Sequence, residues 1–501
     1  MSIFNKKDFD QSTQRYREEA QEGLCTFLRN PWLIAAVMVL ALLTFASCKK
    51  LVEISEPTSA ITTTKVFSSD AIANNAMSGV YYSFVNSGEP DLLASGMTIF
   101  TGFSSDELNL YDLSNANIIQ FQNNNLDPTN HVLSARLWNA PFSILYKANA
   151  VIEGLESSHQ ITDSVKQTLL AEAKLVRAFI NFNLVNIFGD IPYVTSTNWR
   201  LNSQLSRMAK AEVLQNILSD LLYSESILSI PYRTHNGQRI VPNKMTLAAF
   251  IARVYLYLGD WEKAETYSSK VIASPLYRLE TNLDDVFKST SNEAIWQLQQ
   301  DNTSFSFNAT NEGWMLVPII IPGLNFPPYA YVTNNLLNSF EANDNRKSQW
   351  LGATSMNGNT YFFPFKYKIG RLDAMPNGNI DQFYMVFRLA EQYLIRAEAR
   401  AQLSNISGAV ADLNSIRNRA GLVSVPNTIG RQEVLEAIAH ERQVELFAEW
   451  GHRWLDLKRT NKCNQVLAPI KGGNWQPTDT LYPIPYSELM SAPNLIQNQG
   501  Y

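Results

Sequence analysis

The sequence predicts an all-α fold, a scaffold of helical repeats with long irregular loops and a few short strands. Three observations carry that expectation. Apolar residues recur at spacings of three and four from about Ser69 to Ala273, the pattern of helices that bury one face. Two blocks further along share one register of small and large residues, as repeated helix–turn–helix units do. Between those blocks, residues 281–382 are rich in Asn, Gly, Pro and aromatics. A structureless loop of that size does not suit a compact domain, so short strands and ordered loops are expected over the helices.

The first element is an apolar run from Pro31 to Ala46, preceded by Arg29 and closed by Cys48. A membrane-spanning helix needs ~20 apolar residues. This run is shorter, and its basic flank and the small residues before the cysteine suit a secretory signal peptide. Ala46-Ser47-Cys48 resembles the lipobox of bacterial lipoproteins, with Phe45 where that motif usually has Leu. The resemblance implies a signal peptide over residues 1–47, with an extended n-region, and a lipid on Cys48. An uncleaved signal anchor is the alternative. Residues 48–68 are polar, lack helical periodicity and read as a lipidated tether. The three cysteines are Cys25, Cys48 and Cys463, which leaves a chain lipidated at Cys48 without an internal disulfide. Its core must hold it, and 45% hydrophobic residues can build one. A net charge of −5 gives no sign of the basic patches that nucleic-acid binders carry.

Residues 69–280 form the N-terminal helical region, opening near Ser69-Asp70. Leu137, Phe142, Leu145, Tyr146, Asn149 and Ile152 fall mostly three or four apart along one helix face. The next helix, "DSVKQTLLAEAKLVRAFINFNLVNIFGDIP", is broken by Gly189 and stopped by Pro192. Another runs from about Lys210 to Leu228. Ile251, Ala252, Tyr255, Gly259, Ala264 and Val271 then fit a tetratricopeptide-type unit of ~34 residues, with Pro275 near its end. In the C-terminal region, residues 383–501, Tyr393, Ala397, Ala409, Leu413 and Ile416 repeat the design around a turn at Ser404 to Gly408. The insertion between them, residues 281–382, is interrupted by a short helix around Asn334 to Phe340. It is the expected home of the ligand site, because a rigid scaffold displays binding residues on its loops.

Near the C-terminus, "HERQVELFAEWGHRWLDLKRT" supplies an apolar face from Val444 to Leu457. Glu441 and Glu445, Glu445 and Glu449, and Glu449 and Arg453 stand four apart, the spacing of one helix side. Buried there, the carboxylates need partners, and Arg442, Arg453 and Arg459 are at hand. Ser487 is the expected cap of a final short helix.

Catalytic chemistry finds little support. His440-Glu441 begins an H-E-x-x-H pattern, but Val444 stands where the second histidine belongs, so no zinc site follows. Cys463 has no histidine in a marked relation to it. Glu445, Glu449 and Asp456 could in principle supply a glycosidase pair, but structural ion pairing with the neighbouring arginines explains them as well. No metal and no cofactor is expected, and no enzyme activity.

Several longer stretches together resemble a known family. They are "RAFINFNLVNIFGDIPYV" from Arg177, "FEANDNRKSQW" from Phe340, "RLAEQYLIRAEARAQLSNISGAVADLNSIRNRAGL" from Arg388, "ERQVELFAEWGHRWLDLKRT" from Glu441, and the closing "LYPIPYSELMSAPNLIQNQGY". In order, they resemble the SusD/RagB family of nutrient-binding outer-membrane lipoproteins of the Bacteroidota. The resemblance implies a tetratricopeptide-like helical scaffold whose irregular segments bind a nutrient, most often a glycan and in some members a peptide. It also implies a cell-surface location at the outer membrane and a partner, a SusC-like TonB-dependent transporter to which the ligand is delivered. A helical-repeat envelope scaffold without a small-molecule ligand is the rival reading.

A glycan site needs aromatic planes for the C–H faces of sugars and amides or carboxylates for their hydroxyls. The insertion offers Trp314, Tyr329, Tyr331 and Tyr361 among many Asn residues, with Trp314 leading into a strand-like apolar run. Tyr329 and Tyr331, two apart, share a face if that piece is extended. A second set, Phe103, Asp106 and Asn109, lies in "FTGFSSDELNLYDLSNANIIQ".

Overall fold

The computed structural model describes Pro31, Trp32, Ala35, Met38 and residues 63–85, 91–234, 236–302, 306–321 and 324–501. Residues 1–62 and 63–501 are separate compact units. In the first, the four described residues are helical. Cys48, the rest of the signal segment and the tether up to residue 62 lie outside the described residues.

The second unit is mainly helical. Its helices include α1 (Asp70–Val85), α2 (Met97–Ser104), α3 (Ala140–Ser157), α4 (Asp163–Phe188) and α5 (Lys210–Ile227). Every residue of α4 from Leu169 to Phe188 is buried except Lys174, so this helix is an axis with neighbours on all sides. Phe179 anchors it, with its ring centroid 5.1 Å from that of Trp450 and 5.6 Å from that of Trp296. At the far end Gly189 takes φ +75°, and Pro192 prevents the helix from resuming.

The two repeat units have the predicted form. The first pairs α6 (Lys244–Leu258) with α7 (Trp261–Ile272). Asn243 and Thr246 close a capping box at the start of α6, and the Asp260 carboxylate accepts the Lys263 amide to start α7. In the second, α9 (Leu389–Gln402) and α10 (Ile406–Arg419) join through Asn405, which accepts the Gly408 amide. Ala252, Ala264, Ala397 and Ala409 are fully buried, where their small size lets the helices close on one another. Arg253 of α6 grips Glu391 of α9 through two hydrogen bonds of 2.6 Å, tying one repeat to the other.

The insertion contributes strands and short helices, several of them structural. Strand β2 (Ala294–Leu298) pairs antiparallel with β6 (Tyr384–Arg388), and both are buried along their whole length. Strand β1 (Leu108–Leu110) reaches across to β3 (Ala330–Val332). A hairpin of β4 (Leu351–Met356) and β5 (Asn359–Pro364) turns at Asn357-Gly358, both with positive φ, as a tight two-residue hairpin requires. Helix α8 (Asn311–Leu316) carries Trp314, and the apolar run after it reaches a short strand at Ile320–Ile321.

The C-terminal motif departs from the predicted single helix side. Helix α11 (Arg431–Glu445) stops, and α12 (His452–Arg459) restarts after Ala448, Trp450 and Gly451 adopt positive φ. Glu441, Glu445 and Glu449 meet distant cations rather than the three nearby arginines. Arg346 bonds Glu441 at 2.6 Å and Glu445 at 2.8 Å, while Arg388 bonds Glu445 at 2.5 Å and Glu449 at 2.8 Å. Arg419 bridges Glu293 and Glu445, and Lys366 bonds Glu449 at 2.5 Å. Arg442 and Arg459 instead clasp Asp456, and Arg453 clasps Asp106. Ser487 does not cap the last helix, Tyr486–Ser491, whose first position precedes it.

Candidate functional site

The register of β1 on β3 builds the site. Leu108, Leu110, Ala330 and Val332 are buried, while the alternating Asn109, Tyr111, Tyr329 and Tyr331 stay partly exposed. Asn109 stands opposite Tyr331, and the Tyr111 amide donates to the Tyr329 carbonyl at 3.2 Å. Tyr361, from β5, sets its ring edge-on to Tyr331 and Tyr111, with centroids 5.0 and 5.3 Å away. Aromatic rings meeting at this angle hold one another in place.

Trp314 is brought to the same region by α8. Thr310 caps that short helix by accepting the Gly313 amide at 3.1 Å. A side chain at position 313 would put its Cβ 2.4 Å from the Ile369 carbonyl oxygen, so only glycine lets the helix lie this close. The Arg371 guanidinium lies 5.2 Å from the center of the Trp314 ring, and Phe307 meets it edge-on at 6.2 Å.

These pieces enclose an open cleft of about 330 Å³. Trp314, Tyr111, Tyr329 and Phe326 give it aromatic walls, Pro318, Pro327 and Pro328 give rigid apolar surface, and Asp112, Asn115 and Arg371 give polar groups. The Ser114 hydroxyl and amide both donate to Asp112 and hold its carboxyl below the ordinary range. The cleft therefore pairs flat apolar faces with a carboxylate, an amide and a guanidinium, and its described lining residues include no apposed acid–base pair or activated nucleophile.

Of the residues singled out in the sequence, Trp314 and Tyr329 line the cleft, and Tyr331 and Tyr361 form an aromatic pair beside it, with Asn109 hydrogen-bonded to Tyr331. Phe103 and Asp106 are corrections. Phe103 is fully buried and supports Tyr329 from beneath, with centroids 6.2 Å apart. Asp106 is sealed in by Arg453, which donates to both carboxylate oxygens at 2.7 and 2.8 Å. Neither can touch a ligand. Tyr111, Asp112, Asn115, Phe326 and Arg371 were missed. The alternation Leu108-Asn109-Leu110-Tyr111 was the signal available for Tyr111, since a half-buried strand shows every second residue.

The groups considered for catalysis are otherwise engaged. Burial pushes Glu445 up, but Arg419, Arg388 and Arg346 outweigh it and hold the carboxyl far below its ordinary range. Asp456 is held down in the same way, burial being outweighed by Arg442 and Arg459. Burial raises the Cys463 thiol to about 11, which leaves it unreactive near neutrality.

Comparison with known proteins fits this architecture. Residues 232–501, more than half of the chain, match the model of the SusD family. The chain belongs to the SusD family. Residues 53–256 match a further SusD-like model, described as starch-binding associating with outer membrane. Among relatives of this SusD-family chain, SusD-like protein P38 of Formosa agariphila is 27% identical over 433 residues, covering 76% of this chain and 82% of P38. A SusD superfamily protein from Bacteroides vulgatus superposes with a TM-score of 0.75 at 20% identity, covering 87% of this chain and 100% of the other. Surface glycan-binding protein A from Bacteroides thetaiotaomicron, solved with laminarihexaose, has a TM-score of 0.72 at 20% identity, covering 86% and 99%.

Proposed function

We propose that this SusD-family chain is a non-catalytic carbohydrate-binding lipoprotein of the outer membrane. It captures a glycan in the Trp314–Tyr329 cleft and hands it to a SusC-like TonB-dependent transporter, while lipid on Cys48 keeps it at the membrane surface. The observation that carries the binding role is the cleft itself. Its aromatic walls suit the C–H faces of sugar rings, and Asp112, Asn115 and Arg371 offer both acceptors and donors to ring hydroxyls. Family membership supports the outer-membrane setting, since one matched model is described as starch-binding associating with outer membrane; the transporter is what the family resemblance implies. A structural neighbour that holds laminarihexaose supports a glycan as the ligand class.

The test is Trp314→Ala, read by calorimetry against neutral oligosaccharides that include malto- and laminari-series hexamers. Losing a stacking ring costs roughly 1–3 kcal/mol by analogy with other aromatic platforms, about ten- to a hundredfold in affinity. The thermal midpoint should fall without collapsing, because the ring packs against Phe307 and Arg371 yet remains partly exposed to the cleft. Unchanged affinity would reject the cleft, and a collapsed midpoint would assign Trp314 to the core.

A further inference from the structure

A second cleft, of about 570 Å³, opens between the start of α3 and the segment that follows Pro192. One wall is a stripe at helical spacing: Asn139, Phe142, Ser143 and Tyr146, positions that share one side of a helix. Facing them, Asn198 accepts the Arg200 and Leu201 amides and thereby starts the short helix Trp199–Asn202. Trp199 is 68% exposed and Tyr146 55%. The Arg200 guanidinium lies 4.8 Å from the Trp199 ring center and covers part of it. A cap and a cation thus hold a large side chain that stays mostly exposed, and an exposed aromatic of this size beside a cleft marks a contact surface.

The polar groups define what the cleft can take. Among the described residues, the Asn139 amide and Ser143 hydroxyl make no hydrogen bond within the fold. Asn202 and Ser203 face them from the Trp199 side. Glu488 is the one charged side chain among the described lining residues, and the Trp138 indole donates to it. A lone carboxylate amid amides and hydroxyls repels anionic ligands and leaves acceptors for hydroxyl groups.

We propose that the Tyr146–Trp199 cleft is a second carbohydrate-binding site, for a neutral polysaccharide segment, formed by residues that the Trp314 cleft does not use. The proposal rests on the carbohydrate-binding reading of the chain, and its test keeps the two apart.

The test is affinity gel electrophoresis of the whole protein through a panel of neutral polysaccharides that includes starch and laminarin. Trp314→Ala should leave residual retardation, and adding Trp199→Ala should weaken that remainder by roughly tenfold or more. Tyr146→Ala in place of Trp199→Ala should act in the same direction, which guards against one variant misfolding. Residual retardation that survives both added substitutions overturns the second site. So does complete loss of binding in Trp314→Ala alone, which leaves the first cleft standing. If Trp314→Ala changes nothing while Trp199→Ala removes retardation, the first cleft falls and the second stands. A wild-type protein retarded by no member of the panel overturns both.

Discussion

Glu312 lies on α8 two residues before Trp314, with its carboxyl sealed inside the fold. The Thr98 hydroxyl donates to it at 3.2 Å. Burial is the main influence on this group and raises it to about 7, against an ordinary value of about 4.3. The folded state therefore binds a proton that the unfolded state has lost between those values. The stabilisation from the neutral form is complete below pH ~4.3 and is lost as pH rises through ~7. Glu312→Gln keeps the shape and stays neutral, so the variant should lose less stability than wild type between pH 5 and 8, by on the order of 1 kcal/mol or more. Thermal midpoints across that range check it, and parallel curves for the two proteins would reject the assignment. The residue scale also marks a limit of sequence reading. Trp314 and Tyr329 stood out as aromatics among polar neighbours, whereas the inward-facing Phe103 lies in a helix buried along its whole length, which no local alternation marks.

Among the elements, those set by short-range pattern were legible and those set by distant pairing were not. The pairs α6/α7 and α9/α10 follow from spacing, small residues and caps, all encoded within a few tens of residues. Around the break between α11 and α12, Arg346, Lys366, Arg388 and Arg419 converge on Glu441, Glu445 and Glu449 from elsewhere in the chain. Spacing of four cannot reveal such partners, and it also hid the pairing of β1 with β3 more than 200 residues away. The network has a measurable weight. Arg388→Met strips Glu445 and Glu449 of a shared buried partner, and removing one member of a buried pair costs about 3–5 kcal/mol. By contrast, Lys263→Ala, which breaks the exposed Lys263–Asp260 pair, should cost far less, because solvent screens such a pair. Chemical denaturation of the two variants compares them, and equal losses would show that the network contributes no more than a surface pair.

At the largest scale, helices supply the rigid frame of residues 63–501, and the cleft is assembled where residues 110–115 meet residues 314–319, residues 326–329 and Arg371. The proposed membrane attachment depends on Cys48, which lies outside the described residues, and its warrant is the apolar run from Pro31 and the lipobox-like close. Metabolic labelling with a fatty-acid analogue should mark the wild-type protein, and Cys48→Ala should abolish the label and release the protein from the membrane. Label that persists in the variant would remove the lipid anchor from the account. The most direct measurement of the binding claim is a structure of the protein with the oligosaccharide it binds most tightly. The account predicts sugar rings laid on Trp314, with hydroxyls within hydrogen-bonding distance of Asp112, Asn115 or Arg371. An oligosaccharide bound elsewhere, with the Trp314 cleft empty, would contradict it.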